Sequence, residues 1–204
     1  MITPRPYISF HQFNLILNKP AEYRRQYLNV PPIKPKMNQN MWFGKKLADA
    51  LEAREASGDP LLDLVTAQIP LLELRDKSFT AILKDKKEDI TVLAKPDTST
   101  RSLSKIYEFK TSIRKWTQRM ADESDQVTFY ATAAWLKTGR IPQDIRLIAV
   151  MTEYDENHRL KPTGDVLHIQ TKRALYGENG IIRMTSRIRL AWSKIQELCE
   201  AELT

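Results

Sequence analysis

The residues best suited to chemistry are an aspartate that follows a proline, in Lys95-Pro96-Asp97, and a glutamate and lysine two positions apart, in Ile106-Tyr107-Glu108-Phe109-Lys110. A separation of two on a strand sends both side chains to one face. Asp97 falls just past the end of the preceding apolar run, Ile90–Ala94. An aspartate and a glutamate converging at one sheet edge form a hard, oxygen-rich pocket of the kind that takes Mg²⁺ or Mn²⁺. A lysine beside them can hold a water or stabilise negative charge building on a phosphate. Hydrolysis of a phosphodiester needs those parts together: a divalent ion, a water able to lose a proton, and a positive group for the crowded phosphate. Taken alone, the same three residues also fit a surface strand with ordinary charges.

The elements that must position them follow from periodicity. Short apolar-rich runs at Leu71–Arg75, Phe79–Leu83, Ile90–Ala94 and Ile106–Lys110 are separated by charged turns and predict strands. A helix is predicted from Asp122 to Lys137, stopping at Gly139. It carries Gln126 and Tyr130, whose i, i+4 separation puts amide and phenol on one face. Ile145–Thr152 predicts a buried strand and Leu167–Thr171 a shorter one, with a closing helix from Ile188 to Glu202. Upstream, Ser9 caps a helix over Phe10–Leu17. A second stretch, Ala21–Leu28, sets Tyr23 and Tyr27 one turn apart. The prolines from Val30 onward form a connector, and helices are expected over Met41–Ala56 and Leu61–Gln68. The order predicts an α/β fold: one domain over residues 1–204, with a helical part (1–60), a catalytic core (70–155) and a terminal strand and helix (165–204).

Asp97, Glu108 and Lys110, Pro96 included, match the motif of the PD-(D/E)XK nuclease superfamily. Gln126-x-x-x-Tyr130 on the following helix resembles the motif after the active site in its RecB-like and lambda-exonuclease-like branch. Phe43-Gly44-Lys-Lys-Leu-Ala48 is similar to that branch's Gly-x-x-x-His helix, with Ala48 in the histidine position. Ile8-Ser9…Phe13 and Pro20…Tyr23 resemble its helical start. Together these matches run from about residue 8 to 153. The resemblance implies a restriction-endonuclease-like core, a central mixed sheet of four or five strands between helices. It also implies a metal-dependent deoxyribonuclease, in exonuclease form, serving recombination, repair or phage DNA processing. Asp97 and Glu108 would bind one or two Mg²⁺ or Mn²⁺, helped by the Phe109 carbonyl. Lys110 would position the attacking water, and Gln126 and Tyr130 would orient it or the phosphate. Glu52, one turn beyond Ala48 on the same helix face, either replaces the missing histidine as a metal contact or is an ordinary solvated glutamate. Asp49 points elsewhere on that helix. The rival reading is a nucleic-acid-binding module that keeps the fold without catalysis, and Ala48 is its best support.

Other features are open to two readings each. Glu73 stands on a strand near the site or simply faces solvent. Trp116, flanked by Arg114 and Lys115, stacks on a base while its neighbours meet phosphates, or packs in the core. Arg183, Arg187 and Arg189 line a DNA channel or form a cationic face.

Composition agrees with a polyanionic partner. The 204 residues carry 32 Lys+Arg against 25 Asp+Glu, a formal charge of +7, which favours nucleic acid. Six basic residues against Glu108 alone lie between Arg101 and Arg119, and six against Glu178 between Lys172 and Lys194. A single cysteine, Cys199, excludes an internal disulfide and any multi-cysteine metal or iron–sulfur site. The three histidines lie far apart, and glycine loops for nucleotides or a Gly-x-Ser-x-Gly elbow are missing from the sequence. No apolar run is long enough to span a membrane, and the opening residues lack the pattern of a secretory signal, so a cytoplasmic location is expected (the host cytoplasm for a phage protein). By resemblance the partners are DNA and either further copies of the chain, as in ring-shaped trimers of the branch, or a recombination partner protein.

Overall fold

The computed structural model describes residues 5–29, 31, 33, 36–53 and 55–201. Its strands form two sheets. One has the order β1 (Ile8–Ser9), β4 (Ile90–Ala94), β3 (Phe79–Leu83). The other runs β2 (Leu74–Arg75), β5 (Thr98–Ser99), β6 (Lys105–Ser112), β7 (Asp144–Tyr154), β8 (Leu160–Gln170). In the larger sheet β6 and β7 are parallel and the other pairs antiparallel. The class is therefore mixed α/β with a central mixed sheet flanked by helices, as expected. The sequence did not disclose that one extended stretch changes sheet. The change falls at Lys95-Pro96-Asp97: Pro96 has no N–H to give to a ladder, so β4 ends at Ala94 and β5 starts at Thr98 among different neighbours.

The helices are α1 (Phe10–Asn18), α2 (Pro20–Tyr23), α3 (Gln39–Ala53), α4 (Pro60–Gln68), α5 (Gln118–Asp122), α6 (Asp125–Thr138), α7 (Arg173–Tyr176) and α8 (Glu178–Ala201), with a π turn at Arg24–Leu28 after α2. They sort into two layers by what they bury. Residues of α1, α6 and α8 (Phe13, Phe129, Ile188) share one core with Val92, Ile106 and Leu147 of the sheets. On the other side, Phe43, Leu47 and Leu51 of α3 and Leu62 and Val65 of α4 pack on Tyr107, Ile148 and Val150. The alternation along β6 is decisive: Ile106 belongs to the first core and Tyr107 to the second. Glu108 and Lys110 thus face the α6 side, and Phe109 the α3 side.

Local sequence explains the ends of these elements. Ser9 and Gln12 form a reciprocal capping box at α1. Gly139, at φ 72°, closes α6 in the left-handed region with its N–H on the Trp135 carbonyl. In α6 every residue from Phe129 to Ala134 is buried, as a helix running through a core requires.

Several expectations are corrected in extent: the strand at Leu71–Arg75 is confined to Leu74–Arg75, and the helix expected from Asp122 begins at Asp125. The last helix begins at Glu178 rather than Ile188, and Gly180 in its first turn is a point of close approach. A Cβ there would collide with the Leu175 carbonyl. The strand expected at Leu167–Thr171 begins at Leu160, since β8 is an edge strand that tolerates Pro162 opposite a β-bulge at Val150/Thr152. The stretch Ala21–Leu28 is half α, half π, with Tyr23 and Tyr27 stacked at 4.9 Å between ring centroids. Val30, Pro32, Lys34 and Pro35 of the connector, Arg54 after α3 and Glu202 of the closing helix lie outside the described residues. Among the described residues no helix is long and apolar enough to cross a membrane.

Candidate active site

Asp97 stands at the corner between β4 and β5, half-buried, with Oδ2 accepting the Phe109 N–H at 2.5 Å. That N–H is available because β5 stops pairing with β6 at Thr98 opposite Tyr107, leaving Phe109 beyond the ladder on this edge. A strand residue turns its N–H and C=O to the same edge, so the Phe109 carbonyl faces the Asp97 side as well.

Glu108 lies one residue before Phe109 and is 7% exposed. Its Oε1 accepts from Lys110 Nζ at 2.8 Å and from Gln126 Nε2 at 2.6 Å. Gln126 Oε1 accepts from Lys110 Nζ at 2.6 Å, and Nε2 also donates to the Tyr130 hydroxyl at 3.0 Å. Tyr130 in turn donates to the Lys95 carbonyl at 3.0 Å. The amide of Gln126 can be placed only one way round, because its oxygen faces an ammonium and its nitrogen a carboxylate and a phenol oxygen.

Electrostatics make the carboxylate pair incomplete as it stands. Burial, and then the charge of Glu108 beside it, push Asp97 up to about 7, against the lowering effect of the Phe109 N–H and Lys110. Glu108 Oε2 is buried without a hydrogen-bond partner. A buried carboxylate oxygen left unpaired is costly, and two carboxylates in one place call for a counter-charge. A hard divalent cation fits that donor set: Asp97, Glu108 Oε2 and the Phe109 carbonyl, all oxygen. Tyr130 is held above its ordinary value by burial and by the charge of Glu108, so its hydroxyl stays protonated.

Asp97, Glu108, Phe109, Lys110, Gln126 and Tyr130 are thus brought together. Among the described residues Glu52 makes no hydrogen bond or ion pair with this group, and of its two expected readings its exposure favours the solvated glutamate. It lies on an exposed face of α3, and α3 covers the Tyr107 side of β6, opposite Glu108. Among the described residues no group of three or more His, Cys, Asp or Glu is placed to hold a metal. Ala48 is exposed on the same helix.

Arg114 and Lys115 are exposed just past β6, while Trp116 packs against the main core rather than standing free. Glu73 accepts the Arg101 N–H at 3.0 Å and steadies the turn after β5. Arg187 is forked onto Asp125, and Arg189 pairs with Asp85 at 2.9 Å. Both charges are spent locally, against the idea of an arginine-lined channel there; Arg183 is exposed.

Two backbone groups escaped the sequence reading: the Phe109 N–H that grips Asp97 and the Lys95 carbonyl that holds Tyr130. Every residue owns such groups, so residue type carries no signal for them.

No protein-family model and no curated protein sequence matches this chain. The crystal structure of a phage related exonuclease from Haemophilus somnus 129PT is similar to it, with 13% identity over 90% of this chain and 83% of that one and a TM-score of 0.44. A likeness of that size carries no argument about chemistry, which has to come from the side chains themselves.

Proposed function

We propose that this chain is a divalent-metal-dependent nuclease that hydrolyses phosphodiester bonds of DNA. The observation that carries the reading is the half-buried Asp97 beside the buried Glu108, with one Glu108 oxygen unpartnered and Lys110 beside it. A divalent cation at such a site neutralises phosphate charge and lowers the pKa of a bound water.

The chain's own residues supply the rest. Asp97 and Glu108 Oε2, with the Phe109 carbonyl, hold the cation. Lys110 keeps its ammonium between Glu108 and Gln126, where one of its three protons remains for an attacking water or a phosphate oxygen. Gln126 holds both Lys110 and Glu108 in place. A binding module without catalysis is the poorer reading, because two neighbouring carboxylates repel a phosphate unless a cation neutralises them.

The test is incubation with linear and closed circular DNA in Mg²⁺ or Mn²⁺. Cleavage of linear DNA with circles spared is expected for the exonuclease form, which serves DNA processing in recombination, repair or phage replication. Lys110→Ala and Asp97→Ala should each lower the rate by ~100-fold or more, the scale for removing a group that stabilises transition-state charge. Wild-type cleavage by both variants sinks the proposal. Glu52→Ala, at an exposed position of α3, should cleave at close to the wild-type rate.

A further inference from the structure

We propose that Tyr130 is a positioning residue: its hydroxyl is the brace that sets the spacing between the two carboxylates of the site. The inference rests on the reading of Asp97 and Glu108 as a cation site. It gives Tyr130 a role different from contact with water or phosphate.

Tyr130 is 5% exposed, and its hydroxyl is committed in both directions: its proton to the Lys95 carbonyl, a lone pair to Gln126 Nε2. From Gln126 the chain of bonds continues to Glu108 Oε1. The phenol therefore ties two parts of the polypeptide whose backbones meet in the short β5–β6 ladder, but whose side chains that ladder does not orient. One is the corner carrying Asp97, two residues beyond Lys95. The other is the carboxylate of Glu108 on β6. Pro96 stands between Lys95 and Asp97 with its φ locked, so a shift of the Lys95 carbonyl is passed on to Asp97 instead of being absorbed by a free torsion.

The other restraints on this corner do not do the same work. Asp76 pairs with Lys95 at 2.8 Å, but both side chains are more than half exposed, where an ion pair is worth little. The Asp76 N–H donates to the Asp97 carbonyl at 2.9 Å and fixes backbone to backbone without reference to Glu108. Phe109 N–H orients Asp97 Oδ2, and Lys110 on the same strand holds Glu108 Oε1 at 2.8 Å, but neither bond reaches back to the Lys95 corner. The Tyr130–Gln126 path runs from the Lys95 carbonyl to the Glu108 carboxylate, and it ends on Oε1, leaving Oε2 for the cation.

The experiment is calorimetric titration of Mn²⁺ into DNA-free protein: wild type, Asp97→Ala and Tyr130→Phe. It is paired with Tb³⁺ luminescence lifetimes in H₂O and D₂O, which count the waters on the bound ion. Tyr130→Phe keeps the ring and removes only the brace. It should bind Mn²⁺ ~10-fold or more weakly, the usual scale for losing a group that orients a metal ligand. Its Tb³⁺ should also carry more water than that of the wild type, as the two carboxylates no longer close on the ion together. A merely structural role would lower the unfolding temperature while leaving affinity and water count of the folded protein unchanged, and that result overturns the brace. Should Tyr130→Phe fail to fold, Gln126→Leu cuts the same path at its next link and carries the same two outcomes. Absence of Asp97-dependent Mn²⁺ binding in the wild type is a different failure: it removes the cation site before the brace is in question.

Discussion

Asp97 is the residue whose charge state governs the site. In the cation-free protein it keeps its proton up to about pH 7, whereas in an unfolded chain it ionises near the ordinary 3.8. Between those values the native state binds the extra proton, so stability falls as pH rises through that window and levels off above it. Asp97→Asn removes this titration. In excess chelator the variant should melt above the wild type at about pH 8, and the gap should shrink toward about pH 5. Thermal unfolding at the two pH values checks it; a gap that ignores pH would mean that Asp97 is not the group being titrated. At this scale the sequence was informative where the residues share a strand. The period of two puts Glu108 and Lys110 on one face whatever lies around them, and a helix period does the same for Gln126 and Tyr130. Glu52 shows the limit. Its helix face could be drawn, but not the side of the sheet that α3 would cover.

Among the elements, glycine positions separate what a local reading can see from what packing decides. Gly44 lies inside α3, with nothing within 4 Å of an added Cβ. Gly44→Ala should therefore stabilise the fold by about 0.5–1 kcal/mol through backbone entropy. Gly180 is also helical, but its Cβ would strike the Leu175 carbonyl, a backbone atom that cannot swing away. Gly180→Ala should cost about 1–3 kcal/mol, the usual scale of overpacking. Denaturant midpoints for the two variants are expected to move in opposite directions. By intrinsic helix propensity both positions look alike, and the sequence expectation began α8 ten residues too late, at Ile188 instead of Glu178. β8 also begins earlier than expected, at Leu160, and only the sheet order places Pro162 on an edge strand, where a missing N–H costs little.

For the whole molecule, formal charge has to be separated from charge that a polyanion can use. Arg187 and Arg189 are committed to Asp125 and Asp85, and Arg187 also lies 5.1 Å over the Phe13 ring. Arg114 and Lys115 are exposed and make no ion pair among the described residues. If DNA approaches the open edge beside Asp97, Arg114→Ala with Lys115→Ala should weaken binding and reduce the slope of log K against log salt by about 2. Arg187→Ala should leave that slope nearly unchanged while lowering the melting temperature. Binding to DNA by the Lys110→Ala protein across a salt series, with melting curves alongside, distinguishes the two. A slope altered by Arg187→Ala alone would place the nucleic acid on the α8 face instead.

Periodicity and residue type were enough to reveal the α/β class, the strands flanking the site, the caps at Ser9 and Gly139, and the shared faces of Glu108 with Lys110 and of Gln126 with Tyr130, while the grouping of those two pairs with Asp97 came from the motif resemblance. Each depends on interactions a few residues long, with geometry set by the backbone itself. Tertiary structure alone decided that the chain changes sheet at Pro96, that α3 leaves Ala48 and Glu52 exposed, that Arg187 and Arg189 are internally neutralised, and that the Tyr130 hydroxyl reaches back to Lys95. Those contacts join segments far apart in the chain. Their partners include main-chain N–H and C=O groups, which every residue carries alike, so no residue type marks them in advance.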